Sequence, residues 1–152
     1  LGRCVEFLLD PSAALVPGER QGGHQVRQHM GRWDQHVRSW VDQEQLPVLV
    51  MRYEDMLNKG PETFHALAEF LHLPAGPSLV EQALANTAID RLQKLEDLGG
   101  GFSEKPKGCE RFFRSGRTGE GAEQLQPEQR ERLATSLAKM MERFNYEGGT
   151  SD

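Results

Sequence analysis

Apolar residues at Val26, Met30, Trp33, Val37 and Trp40 recur at steps of three and four, which predicts an amphipathic helix across this stretch. The same period returns further on. Phe64, Leu67, Ala68 and Leu71 define a helix whose first turn holds Pro61, a position proline suits. Pro74-Ala75-Gly76-Pro77 stops it, and a short helix carrying Leu79, Val80, Ala83 and Leu84 follows. Thr87 and Asp90, a weaker relative of the capping box, open another helix with Ile89, Leu92 and Leu95 inward. Glycines at 99–101 break it, and an irregular stretch runs to about Gln124. The last helix starts at Pro127 and buries Leu133, Leu137, Met141 and Phe144. Val48-Leu49-Val50-Met51 differs from all of these. It is a continuous apolar run behind Pro47 and reads as a buried parallel strand. Val5-Glu6-Phe7-Leu8-Leu9 fits a strand or a helix equally well, residues 10–24 form a loop-rich lead-in, and 147–152 a polar tail.

Four or five helices around one orphan strand would be odd as a free-standing domain. A chain of 152 residues has room for one domain and one core, and 37% hydrophobic with 27% charged residues is ordinary for a soluble protein. No apolar run has the length of a transmembrane helix. Cys4 and Cys109 stand far apart without Cys-x-x-Cys spacing, so neither a disulfide framework nor a zinc site is indicated, and a reducing cytoplasm is the expected compartment. His24, His29 and His36 do not share one helix face, so no metal site is expected. A net charge of -5 argues against nucleic acid as a partner.

Against that acidic background, residues 105–117 carry five Lys or Arg and one acid, Glu110. Within Arg111-Phe112-Phe113-Arg114-Ser115-Gly116-Arg117-Thr118-Gly119, the two glycines permit positive φ and close backbone approach to a ligand. The guanidinium groups of Arg114 and Arg117 can hold phosphate oxygens bidentately. A small anion suits so local a basic loop better than a polymer does.

Arg114-Ser115-Gly116-x-x-Gly119 behind Phe112-Phe113 resembles the C-terminal nucleotide motif of the PAPS-dependent sulfotransferases, approximately Phe-x-Arg-Lys-Gly-x-x-Gly-Asp-Trp. Val48 to Met51 running into Tyr53-Glu54-Asp55 is similar to that family's core strand and turn. Thr87-Ala88-Ile89-Asp90-Arg91-Leu92 resembles its Thr-Ser-Phe-x-x-Met/Leu segment, and Gly31-Arg32-Trp33 through His36-Val37 to Trp40 its Gly-x-Trp-x-x-His-Val-x-x-Trp helix. The motifs keep the family's order over roughly residues 27–146. The resemblance implies an α/β fold related to the P-loop kinases, of which this chain is the mostly helical C-terminal part with one clear core strand. It implies transfer of a sulfuryl group from PAPS to a hydroxyl or amine of a small-molecule acceptor.

By the same resemblance Tyr53, Thr87 and Ile89 lie at the adenine, and Arg114, Ser115 and Gly116 hold the 3′-phosphate. Tyr53, Thr87 and the Arg114-Ser115-Gly116 turn are then expected on one concave surface. Read without the family, Tyr53 could equally plug a strand end through its hydroxyl, Thr87 could serve as a helix N-cap, and Glu54 and Asp55 could cap a helix or pair with an arginine. Ser115 stands where the family has Lys, with Arg117 able to restore part of the charge, and Gly121 stands where it has Trp. The family's Tyr-Pro-Lys-Ser-Gly-Thr-Thr-Trp phosphosulfate loop, catalytic His and Arg…Ser pair do not occur among these residues. In the family's order they precede the motifs found here, so a chain beginning at Leu1 reads as a single partial domain with no catalytic residue of its own. A non-catalytic nucleotide-binding or interaction module of the same fold is the alternative.

Overall fold

The computed structural model describes residues 2–15, 27–99, 102, 105 and 108–146. Two units make up the chain, Leu1–Val48 with Gly119–Asp152, and Leu49–Thr118.

The first unit begins with α1 (Gly2–Leu9), which settles the ambiguous Val5–Leu9 run as a helix with Val5 buried. It packs on α8 (Pro127–Arg143), and the carboxylate of Glu6 pairs with the guanidinium of Arg132. Between α1 and the next helix, β1 (Ala14–Leu15) and β2 (Gln28–His29) form a short antiparallel pair in which Ala14 faces His29. The helix predicted from Val26 therefore starts later. Val26 lies outside the described residues, Gly31 adopts φ 66°, and the amides of Met30 and Gly31 both donate to the carbonyl of Ala13. That left-handed glycine turns the chain before α2 (Trp33–Val41) can begin.

Ties from α2 to α8 run through Arg32, which donates to the Ser136 carbonyl at 2.9 Å, and through Asp42, which pairs with Arg143 at 2.6 Å. Trp33 meets Tyr146 edge to face. On α8 the most buried apolar positions are Leu137 and Met140, with Leu133, Met141 and Phe144 half-buried, so the predicted stripe is shifted slightly around the helix. Truncating Leu137 to alanine would cost about 2–5 kcal/mol. The stretch expected to be irregular as far as Gln124 contains α7 (Glu120–Gln124).

In the second unit the residues from Leu49 to Arg52 form neither helix nor strand, and they pair with no strand among the described residues. The expected buried strand Val48–Met51 is thus corrected: Val48 is 41% and Val50 48% exposed. A strand exists through its ladder, and nothing described here supplies one. Four helices follow, α3 (Tyr53–Asn58), α4 (Gly60–Phe70), α5 (Pro77–Asn86) and α6 (Ile89–Leu98). Pro61 and Pro77 sit in the first turns of α4 and α5, where no intrahelical N–H is needed. Ala68 and Val80 are the buried contacts of this pair, and Gly60 lies so near Leu84 that a Cβ would come within 3.2 Å of it.

The end of α4 is a Schellman turn in which His72 takes φ 54°, its amide donating to Glu69 and that of Leu73 to Ala68. In the first unit Asn145 closes α8 the same way, at φ 52°. No helix among the described residues is long and apolar enough to cross a membrane.

Candidate functional site

The chemistry-bearing residues named from the sequence all fall in the second unit, and α6 organises most of them. Its N-cap is Ala88, with φ -55° and ψ 139°. Thr87 ends α5 instead, its hydroxyl donating back to the carbonyls of Ala83 and Leu84 at 2.9 and 3.3 Å. This corrects the reading of Thr87 as N-cap of the following helix. A threonine hydroxyl can satisfy the orphan carbonyls of its own last turn as readily as the amides ahead of it.

One face of α6 meets the loop at 111–114. Gln93, Glu96 and Asp97 are spaced i, i+3, i+4 and so share that face. The Glu96 carboxylate is buried, at 5% exposure, and accepts the backbone amides of Phe112 at 2.8 Å and Phe113 at 3.1 Å. Gln93 donates its side-chain amide to the carbonyls of Phe113 and Arg114, at 3.0 and 2.7 Å. The Nη2 of Arg111 donates to both carboxylate oxygens of Asp97, at 2.9 and 2.6 Å. The Phe112 amide foremost, then that of Phe113 and the charges of Lys105 and Arg111, hold the Glu96 carboxyl below the usual carboxylate range, against the opposing pull of desolvation. The rings of Phe102, Phe112 and Phe113 cluster, Phe113 meeting the other two edge to face, with centroids 4.6 to 5.3 Å apart.

Leaving this clamp, the chain passes Arg114 and Ser115 and turns at Gly116, φ 61°. A Cβ on Gly116 would stand 3.2 Å from Cγ1 of Ile89, so the turn rests on the first residue of α6. Ile89, Arg114, Ser115 and Gly116 are thereby brought to one end of one helix.

The other two expected site residues are placed differently. Thr87 lines an apolar cavity of about 320 Å³ between α4 and α5, with Phe64, Leu67, Leu79 and Val80. Tyr53 is the first residue of α3, 46% exposed, and among the described residues no hydrogen bond or ring contact joins it to Thr87 or to the 114–116 turn. Among the described residues no group accepts a bond from its hydroxyl. Glu54 and Asp55 face Arg52 at 3.7 and 4.0 Å, and Lys59 lies 3.9 Å from Asp55, in keeping with a structural acid pair in the first turn of a helix. Lys105 donates to the Glu110 carbonyl and Arg111 bonds Asp97, while Arg114 and Arg117 flank the Gly116 turn in sequence.

Gln93, Glu96 and Asp97 are absent from the residues named by motif. Their signal is a polar trio at i, i+3, i+4 on a helix preceding a loop whose backbone needs partners, and the apolar stripe Ile89, Leu92 and Leu95 draws attention away from it. Leu95, expected inward, is 56% exposed.

Residues 23–145 match the family model for the sulfotransferase domain. The chain belongs to the sulfotransferase domain family. No curated protein and no solved structure shows significant similarity to it.

Proposed function

We propose that this chain carries the nucleotide-binding wall of a PAPS-dependent sulfotransferase site, serving transfer of a sulfuryl group to a hydroxyl or amine of a small-molecule acceptor. The observation that carries the reading is the delivery of Arg114, Ser115 and Gly116 by a fixed loop to the start of α6. Membership of the sulfotransferase domain family supports it from the sequence side.

The residues present fit the 3′-phosphate of PAPS. Gly116 has the left-handed backbone of an anion-cradling turn and lacks a side chain that would cover its amides. Arg114 contributes a forked cation, Ser115 a hydroxyl donor, and Arg117 a second cation in place of the lysine the family carries at 115. Ile89 offers apolar contact where relatives offer an aromatic ring, and Tyr53 and Thr87 belong to the adenine side of the same reading. When bound, PAPS supplies the sulfuryl group. The task of these side chains is to hold and orient its nucleotide end, which lowers the entropic part of the barrier to transfer.

Calorimetry with adenosine 3′,5′-bisphosphate and adenosine 5′-phosphate tests the reading. The bisphosphate should bind more tightly, and Arg114→Ala should erase that advantage, weakening it by roughly one to two orders of magnitude. Adenosine 5′-phosphate should be unaffected. Arg38, whose contact with Asp42 is exposed, serves as the control position. An equal loss for both nucleotides on Arg114→Ala would refute the assignment.

A further inference from the structure

We infer that Gln93, Glu96 and Asp97 are positioning residues for the phosphate-binding turn: from one face of α6 they fix the backbone of residues 112–114 and the side chain of Arg111, and so set where Arg114 and Gly116 stand. This rests on the nucleotide reading above and adds to it the part of the site that touches no ligand.

The argument begins with hydrogen-bond accounting. Residues 111–114 form no helix or strand, so their amides and carbonyls need other partners. The α6 side chains supply them in sequence. Asp97 takes the Arg111 side chain, Glu96 the amides of Phe112 and Phe113, and Gln93 the carbonyls of Phe113 and Arg114. Six bonds from three residues on one rigid helix hold four consecutive loop residues, Arg111 by its side chain and Phe112 to Arg114 by their backbone. The next contact along the chain is Gly116 against Ile89, on the same helix.

Both the donor and the acceptor side of this strip are therefore read by α6, and a carboxylate suits the Glu96 position because it can accept two amides at once. A glutamine there keeps the shape but presents an NH2 group to one of those amides. Arg111 gains a second meaning from the same geometry. It completes the clamp through Asp97 and is not a phosphate ligand, although it belongs to the basic run. Displacing a binding group by about 1 Å is enough to lower activity by roughly 10²-fold, so a loosened strip is felt at the phosphate.

The test uses the whole 152-residue chain and the variants Glu96→Gln and Gln93→Ala, each first checked for native circular dichroism. In amide-resolved NMR the Phe112 and Phe113 signals of the parent should shift as one carboxyl titrates, with Lys105 and Arg111 as the charged groups facing it. That titration should vanish in Glu96→Gln. Both variants should bind adenosine 3′,5′-bisphosphate at least about tenfold more weakly while binding adenosine 5′-phosphate as the parent does. Because Gln93→Ala leaves the buried carboxylate in place, it carries the test if Glu96→Gln fails to fold. Unchanged bisphosphate affinity in the folded variants overturns the inference and leaves the nucleotide reading standing. A parent chain with no preference for the bisphosphate overturns both.

Discussion

Gly116 rests on Ile89 so closely that a β-carbon on the glycine would lie 3.2 Å from Cγ1 and 3.3 Å from Cβ of the isoleucine. The glycine also holds φ 61°, so two separate constraints meet at one position. Gly116→Ala should destabilise the turn by about 1–2 kcal/mol from backbone conformation alone, with contact against Ile89 adding to it. Denaturant titration of Gly116→Ala with and without Ile89→Ala separates the two. Removing the isoleucine side chain should recover the contact part and not the backbone part.

His72 and Asn145 close α4 and α8 in left-handed conformations that glycine adopts without strain. His72→Gly and Asn145→Gly should each raise stability by about 0.5–1 kcal/mol, the relief of φ strain exceeding the added freedom of the unfolded chain. Thermal unfolding reads this directly. A fall in midpoint for both variants would show that the two side chains contribute more than their backbones cost.

Acid should loosen both units. Glu6 is held below the usual carboxylate range by its bond to Arg132, Asp42 by its bond to Arg143, and Glu96 by the Phe112 amide. Each binds its proton less readily folded than unfolded. Its contribution is therefore complete above the unfolded value and is lost as pH falls through the depressed folded one. The denaturation midpoint should stay level from neutrality down to about pH 5 and then fall. Glu96→Gln should make that fall shallower, since one titrating share is gone.

The 152-residue chain, supplied with PAPS and a phenol or alcohol, should yield no sulfated product at rates of about 1 s⁻¹ or above. Neither a lysine-bearing phosphosulfate loop nor a histidine base of the family pattern occurs in its sequence. Product accumulating at such a rate, measured by chromatography of the acceptor, would locate chemistry in residues assigned here to binding alone.

Periodicity made α4, α5, α6 and α8 legible, because a helix closes its own hydrogen bonds and its apolar spacing is a local property. Pro61, Pro77 and Pro127 mark their first turns. The run Val48–Met51 failed as a strand for the opposite reason. Composition can favour an extended chain, but the ladder depends on partners remote in sequence, and none pairs with it among the described residues. Thr87 was ambiguous because its hydroxyl reaches carbonyls behind it and amides ahead of it. The backbone of Ala88, invisible to pattern, decides between them. Arg114, Ser115 and Gly116 were named by motif, and the seat of Gly116 against Ile89 is visible only in the fold. The clamp of Gln93, Glu96 and Asp97 was not found, since polar residues on a helix read as solvated until the loop they hold is in place.

Because three side chains of α6 hold the loop, opening of the helix and release of the loop share one equilibrium. A ligand gripping residues 114–116 then raises the free energy needed to open the last turns of α6, by RT ln(1 + [L]/Kd) for a ligand that ignores the unfolded chain. Backbone amides from Gln93 to Leu98 consequently become a gauge of phosphate occupancy, their exchange with deuterium slowing as nucleotide is added. The turns of α6 that touch no ligand are the ones whose protection reports it.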